Sequence, residues 1–254
     1  MAKLIDVYNA IDSFAPYQDQ LEYDNSGIKL GDLDTDVTGI MVTLDTTMSV
    51  IMEAKERGCN VIVEHHPSIW TPLKSIDNNI PQNQCLINAI KLDIAIISAH
   101  TNVDVADGGL NDHIASMMGL KNIRPLASAR AGELEEPITM GEFAIKLKEL
   151  FQDKYTLTVG NLNKIVKKVA VISGGGGSDS SSLIETYKDG CDVFVTSDVK
   201  HNVARLAKDL NYGIIELSHH ASEYPFIDFM VNKLNEKLKG IRIYGTTVLN
   251  NPYN

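Results

Sequence analysis

Glu56-Arg57-Gly58-Cys59-Asn60-Val61-Ile62-Val63 and Lys188-Asp189-Gly190-Cys191-Asp192-Val193-Phe194-Val195 follow one pattern: a charged pair, Gly-Cys, a polar residue and a short apolar run. Runs of this kind suit strands buried on both faces of a sheet. A strand and then a helix precede each copy, Gly39 to Leu44 with Met48 onward in the first and Val169 to Ile172 with Ser181 onward in the second. After each copy comes another apolar strand, Ile94 to Ile97 or Ile214 to Leu217, closed by a histidine with a carboxylate four positions on. These pairs are His100 with Asp104 and His219 with Glu223. The shared order of elements predicts an α/β protein of two related α/β domains, with mainly parallel sheets layered by helices.

The halves are expected at about 1–126 and 165–254, joined by a connector at 127–164. Within the connector, Ala127 to Glu136 is small and polar and reads as a loop. Thr139-Met140-Gly141-Glu142 is a capping-box signature that opens a helix carrying Phe143, Leu147, Leu150 and Phe151. Tyr155 to Val159 reads as a strand, Ile241 to Tyr244 as another, and Pro225 to Leu238 as a helix. The connector is too short for an independent domain and is expected to pack on one half.

The 254 residues carry 23 Lys plus Arg against 33 Asp plus Glu, a net charge of -10, which argues against long-range attraction to nucleic acid or anionic lipid. The densest basic stretches, Lys164 to Lys168 and Lys233 to Lys239, have acidic or apolar neighbours and read as solvated faces. Leu4, Val7, Tyr8, Ile11 and Phe14 form a helical stripe around Asp6 and Asp12, an amphipathic helix rather than a signal peptide. No apolar run approaches the ~18 residues of a membrane span. Cys59, Cys85 and Cys191 make no C-x-x-C pair, and their odd number argues against a disulfide framework, so the cytoplasm is expected.

His65-His66-Pro67 closes the strand Val61 to Val63. Consecutive strand residues face opposite ways, so both imidazoles serve one site only if the chain turns there. His219 and Glu223, four apart, align if a helix starts at that point, and Asp104 adds a second carboxylate. Taken singly, His65 and His66 also read as loop residues and His219 as a helix cap. Together, the strand-end positions and the repeat favour a pair of borderline divalent ions such as zinc, manganese, iron or cobalt, with Glu223 able to bridge them. Gly174-Gly175-Gly176-Gly177-Ser178 suits either an anion cradle or a tight turn. No G-x-S-x-G elbow occurs, Cys59 and Cys191 read as buried, and Trp70 reads as a core or interface residue, with substrate stacking as the alternative.

Val63-Glu64-His65-His66-Pro67 with Leu73-Lys74-Ser75-Ile76, and Ala99-His100-Thr101-Asn102-Val103-Asp104 with Gly108-Gly109-Leu110-Asn111-Asp112, resemble the NGG-interacting-factor-three-like family. Its bacterial members go under the name GTP cyclohydrolase I type 2 homologue. Tyr23 to Ile28, Asp192 to His201 and Ser218 to Glu223 extend the resemblance over nearly the whole chain. It implies a dinuclear metal centre in the cleft between two similar domains, a toroidal homohexamer, and His65, His66, Asp104, His219 and Glu223 as ligands. His100 is outside the usual ligand set and is assigned to support or proton transfer, with a structural role as the alternative. Ser218 and His220 stand where the family commonly has glycine and tyrosine around the histidine, and Ser197 and Asn202 also depart from its pattern. The connector has no room for the inserted domain of longer members. Two functions follow from the resemblance: a metal-dependent hydrolase or cyclohydrolase acting on an anionic nucleotide or phosphoester, or a non-catalytic metal-binding assembly that serves partners.

Overall fold

Gly58 and Gly190 both adopt left-handed backbone, with φ of +69° and +82°, and each ends a helix. The amide of the cysteine that follows reaches back into that helix, from Cys59 to the Ala54 carbonyl at 2.8 Å and from Cys191 to the Thr186 carbonyl at 3.2 Å. Both cysteines are buried as the following strand begins. The sequence repeat is therefore a repeated helix stop, in which glycine takes the conformation that a Cβ resists.

The computed structural model describes residues 2–249 and 251–253. Asp107–Pro225 form one unit, and the described residues on either side form the other. In the latter, helix α1 (Leu4–Asp12) is followed by β1 (Gly27–Leu30), β2 (Ile40–Thr43), α2 (Met48–Glu56), β3 (Val61–Glu64), α3 (Pro81–Lys91), β4 (Ala95–Ser98) and α4 (Thr101–Val105). The other unit contains α5 (Leu110–Met117), β5 (Lys121–Leu126), β6 (Ala129–Thr139), α6 (Met140–Leu150), β7 (Leu157–Val159) and β8 (Ile165–Val171). It continues with α7 (Ser180–Lys188), β9 (Val193–Thr196), α8 (His201–Asp209), β10 (Gly213–Glu216) and α9 (His219–Glu223). The chain then returns to the first unit with α10 (Phe226–Lys237) and β11 (Ile243–Gly245).

The first sheet has the order β1-β4-β3-β2-β11, parallel except for the antiparallel edge strand β1. Met41, Ile62 and Ile96 from its strands pack with Val50, Ile51 and Ala54 of α2 and Leu86 and Ala89 of α3. The second sheet has the order β5-β6-β8-β9-β10-β7, a parallel centre of β8, β9 and β10 with antiparallel flanks. Ala170, Phe194 and Ile214 pack there with Leu183 of α7 and Val203 and Ala207 of α8. The α/β class and the two helix-layered sheets agree with the sequence reading.

Two local expectations need correction. The segment read as a loop from Ala127 to Glu136 lies largely in the strand β6, paired antiparallel with β8. Its small residues are packing residues: Ala129 and Ala131 are buried, and a Cβ on Gly132 would press within 3.0 Å of Leu120. Arg130 on the same strand is buried too, with its guanidinium bonded to Asp112 at 2.7 Å. The boundaries also differ from the expected 126 and 164. The chain after Pro225 joins the first sheet, since β11 lies parallel to β2 and Phe229 of α10 packs edge-on against Phe14 at 6.3 Å. The connector contributes β6, α6 and β7 to the second sheet's unit, and its capping box forms as read, with Thr139 and Glu142 exchanging hydrogen bonds.

Candidate metal-binding residues

In the first unit, the chain turns as it leaves β3. The amides of His65 and His66 both donate to the Leu44 carbonyl, at 3.1 and 3.0 Å, so the two side chains do not diverge as they would along a strand. Their rings lie 5.1 Å apart, and His65 is buried against Phe226. His100, which follows β4, places its ring 5.1 Å from His65 and 5.8 Å from His66. One nitrogen from each of these three histidines lies within 4.8 Å of the others. Asp104 on α4 brings Oδ1 to 3.8 Å from His65 Nε2.

Each ring is held from behind. His65 Nδ1 donates to the Ala99 carbonyl at 2.9 Å, His66 Nδ1 to Asp45 at 2.9 Å, and His100 Nδ1 to Asp24 at 2.8 Å. Asp24 also accepts from the Thr101 amide and hydroxyl and from Ser26 Oγ. Burial works against its charge, but His100 and these donors outweigh it and hold the Asp24 carboxyl well below the usual range. Glu64, fully buried, accepts from Thr46 Oγ1 at 2.5 Å, the Ser68 amide at 2.7 Å and Ser98 Oγ at 2.7 Å. It thereby ties the exits of β2, β3 and β4 together, and burial pushes its carboxyl above the ordinary range.

In the second unit, α9 aligns His219 and Glu223 one turn apart, with His219 Nε2 2.9 Å from Glu223 Oε2. His219 Nδ1 bonds to Asp198 at 2.7 Å, and Asp198 holds left-handed backbone at φ +52°. Burial lowers the His219 pKa, but Glu223 and then Asp198 outweigh it and raise it to about 9. The glycine run makes space for this pair. A Cβ on Gly174 would collide with the Glu223 carboxylate and come within 3.3 Å of His219 Nε2. The Gly174 amide donates to Ser222 Oγ and the Gly177 amide to the Ser197 carbonyl, so the run acts as a tight turn that closes on α9.

With Nδ1 of His65, His66, His100 and His219 engaged by oxygen acceptors, Nε2 is the nitrogen each neutral ring offers to a cation. These are the features of histidines prepared for a divalent metal, and the carboxylates of Asp104 and Glu223 fit the same ion class. The holding residues Asp24, Asp45 and Asp198 were not singled out from the sequence; Asp24 and Asp198 fall inside motif segments, but nothing local says which histidine each one meets. Trp70, read as core or interface, is 44% exposed and so is not core.

The family model described as Duf34/NIF3 (NGG1p interacting factor 3) matches residues 2–252. A Clostridium perfringens protein named GTP cyclohydrolase 1 type 2 homolog is 31% identical over 245 residues, covering 93% of this chain and 92% of that protein. A solved structure of a Staphylococcus aureus hypothetical protein superposes with a TM-score of 0.90 at 27% identity, covering 100% of this chain and 99% of that one. A Bacillus cereus protein related to NIF3 shares the fold, with a TM-score of 0.90 at 23% identity over 99% of this chain and 98% of its own. By a match that spans nearly its whole length, the chain belongs to the Duf34/NIF3 (NGG1p interacting factor 3) family.

Proposed function

We propose that the protein is a hydrolase dependent on two divalent ions per chain, held by His65, His66, Asp104, His219 and Glu223, and acting on a nucleotide or another phosphoester. The observation that carries this reading is the oxygen acceptor on Nδ1 of each candidate histidine, which fixes the ring and directs Nε2 as a donor. Zinc, iron, manganese and cobalt all suit this mixture of imidazole and carboxylate. Such ions, when bound, supply Lewis acidity and positive charge that an anionic substrate needs on a chain of net charge -10. His100, backed by Asp24, is the residue assigned to hold or move a proton at Nε2 during the reaction.

The names of the curated relatives support a cyclohydrolase-like reaction on GTP as the first substrate to try. A cytoplasmic homohexamer belongs to the same reading, drawn from the family resemblance, and light scattering on dilute protein tests it. Among the described residues, no helix is long and apolar enough to cross a membrane. The decisive experiment incubates purified, metal-reconstituted protein with GTP, other nucleotides and simple phosphoesters. Turnover that requires added metal supports the hydrolase. A fully metal-loaded protein inert toward the whole panel contradicts it and leaves a metal-binding assembly.

A further inference from the structure

Trp70 is the sole tryptophan of the chain, and it shares the surface beside the histidines with Tyr23, which is 67% exposed. The two rings are 6.3 Å apart, and the indole packs perpendicular to the His100 imidazole at 5.6 Å. Both are fastened to the structure that holds the histidines. Asn25 Nδ2 donates to the Ile69 carbonyl at 2.6 Å, next to Trp70, while the adjacent Asp24 accepts from His100 Nδ1. Tyr23 precedes Asp24 in the same segment. Core packing does not explain two large aromatic rings left this open on anchored backbone, and exposed apolar surface beside convergent polar groups is the composition of a ligand site.

We propose that Tyr23 and Trp70 are specificity-determining residues that receive a planar heteroaromatic ring of the substrate, resting on the metal-dependent reading above. An indole face is electron-rich and stacks well on an electron-poor heterocycle, and stacking of this kind tolerates different bases because each has a π-face. Fixing the wall before the ligand arrives reduces the ordering that binding requires. A ring seated there lies beside His100, so its substituents fall at the group assigned to proton handling.

Because Trp70 is the only tryptophan, its fluorescence reports this site alone. Zinc-loaded protein is titrated with guanosine and adenosine, with ribose as the control that lacks a heteroaromatic ring. Saturable quenching by the nucleosides and none by ribose is expected. By calorimetry, Trp70→Ala and Tyr23→Ala should each weaken nucleoside binding about tenfold or more, with zinc content unchanged, while Trp70→Phe stays within about threefold of the parent. Equal nucleoside affinity in Trp70→Ala and the parent, a ribose response, or no saturable response at millimolar nucleoside overturns the proposal. Zinc content is measured separately. If zinc fails to load, the metal-dependent reading fails, and the same nucleoside titration on metal-free protein still decides this inference.

Discussion

Ser218 donates both its amide and its hydroxyl to the Asp153 carboxylate, at 3.0 and 2.8 Å, across 65 positions of sequence. Asp153 is buried and also accepts from the Tyr155 amide and the Thr156 hydroxyl. Ser218 immediately precedes α9 and has no side-chain bond to the helix's own amides, so the start of the segment carrying His219 and Glu223 is set from outside. Ser218, which the family resemblance sets against a glycine, thus has a definite partner.

Asp153→Asn should destabilise the fold by about 1–3 kcal/mol at neutral pH, because an amide cannot accept all four of these donors. Burial works to raise the Asp153 pKa, but the Ser218 and Tyr155 amides and the two hydroxyls outweigh it and hold it below the ordinary range. A depressed folded-state pKa contributes stability that is complete above the unfolded value of about 3.9 and is lost as pH falls through the folded value. Urea denaturation at pH 7 and pH 3 should therefore show a gap between parent and variant that narrows in acid. A gap that stays constant would show that Asp153 does not act through its charge.

Gly174→Ala and Gly190→Ala separate backbone strain from damage to the site. Both glycines have positive φ, but a Cβ on Gly190 meets nothing within 4 Å, whereas one on Gly174 strikes the Glu223 carboxylate. Each substitution should cost roughly 1 kcal/mol from strain. Only Gly174→Ala should also lower metal content, read by elemental analysis beside the melting temperature. Equal metal content in the two variants would mean that Glu223 can move aside without consequence.

His100→Ala distinguishes three roles. As a proton-handling group, His100 should be dispensable for metal content while its loss lowers any hydrolytic rate by roughly 10²-fold or more. Loss of metal along with activity would make it a ligand, a role open to it because its ring joins those of His65 and His66. An unchanged rate per folded, metal-loaded molecule, with a lower melting temperature, would leave it only a packing role.

The candidate donors were legible because their signals are local. His65 and His66 end one strand, and His219 with Glu223 has helical i,i+4 spacing that α9 realises directly. The residues that hold them were not, since Asp24 meets His100 across 76 positions and Asp45 and Asp198 meet their histidines across 21. The glycine-cysteine repeat was legible because a left-handed helix stop needs only neighbouring residues. Strand β6 was missed because Ala129, Ala131 and Gly132 are small for packing against the α5 to β5 connection, and small residues are also what loops use. The return of α10 and β11 to the first sheet had no local signal: an apolar run such as Ile241 to Tyr244 suits the edge of either sheet.

Elemental analysis of the parent beside Glu223→Gln reads out whether the five proposed side chains hold two divalent ions per chain. Glutamine preserves the shape of residue 223 but removes the negative charge that the proposed pair of cations would need there. Two ions per chain are expected in the reconstituted parent and a content well below that in the variant, at an unchanged fold by circular dichroism. A parent that binds no divalent ion, or a variant that still carries two at parental occupancy, would contradict it.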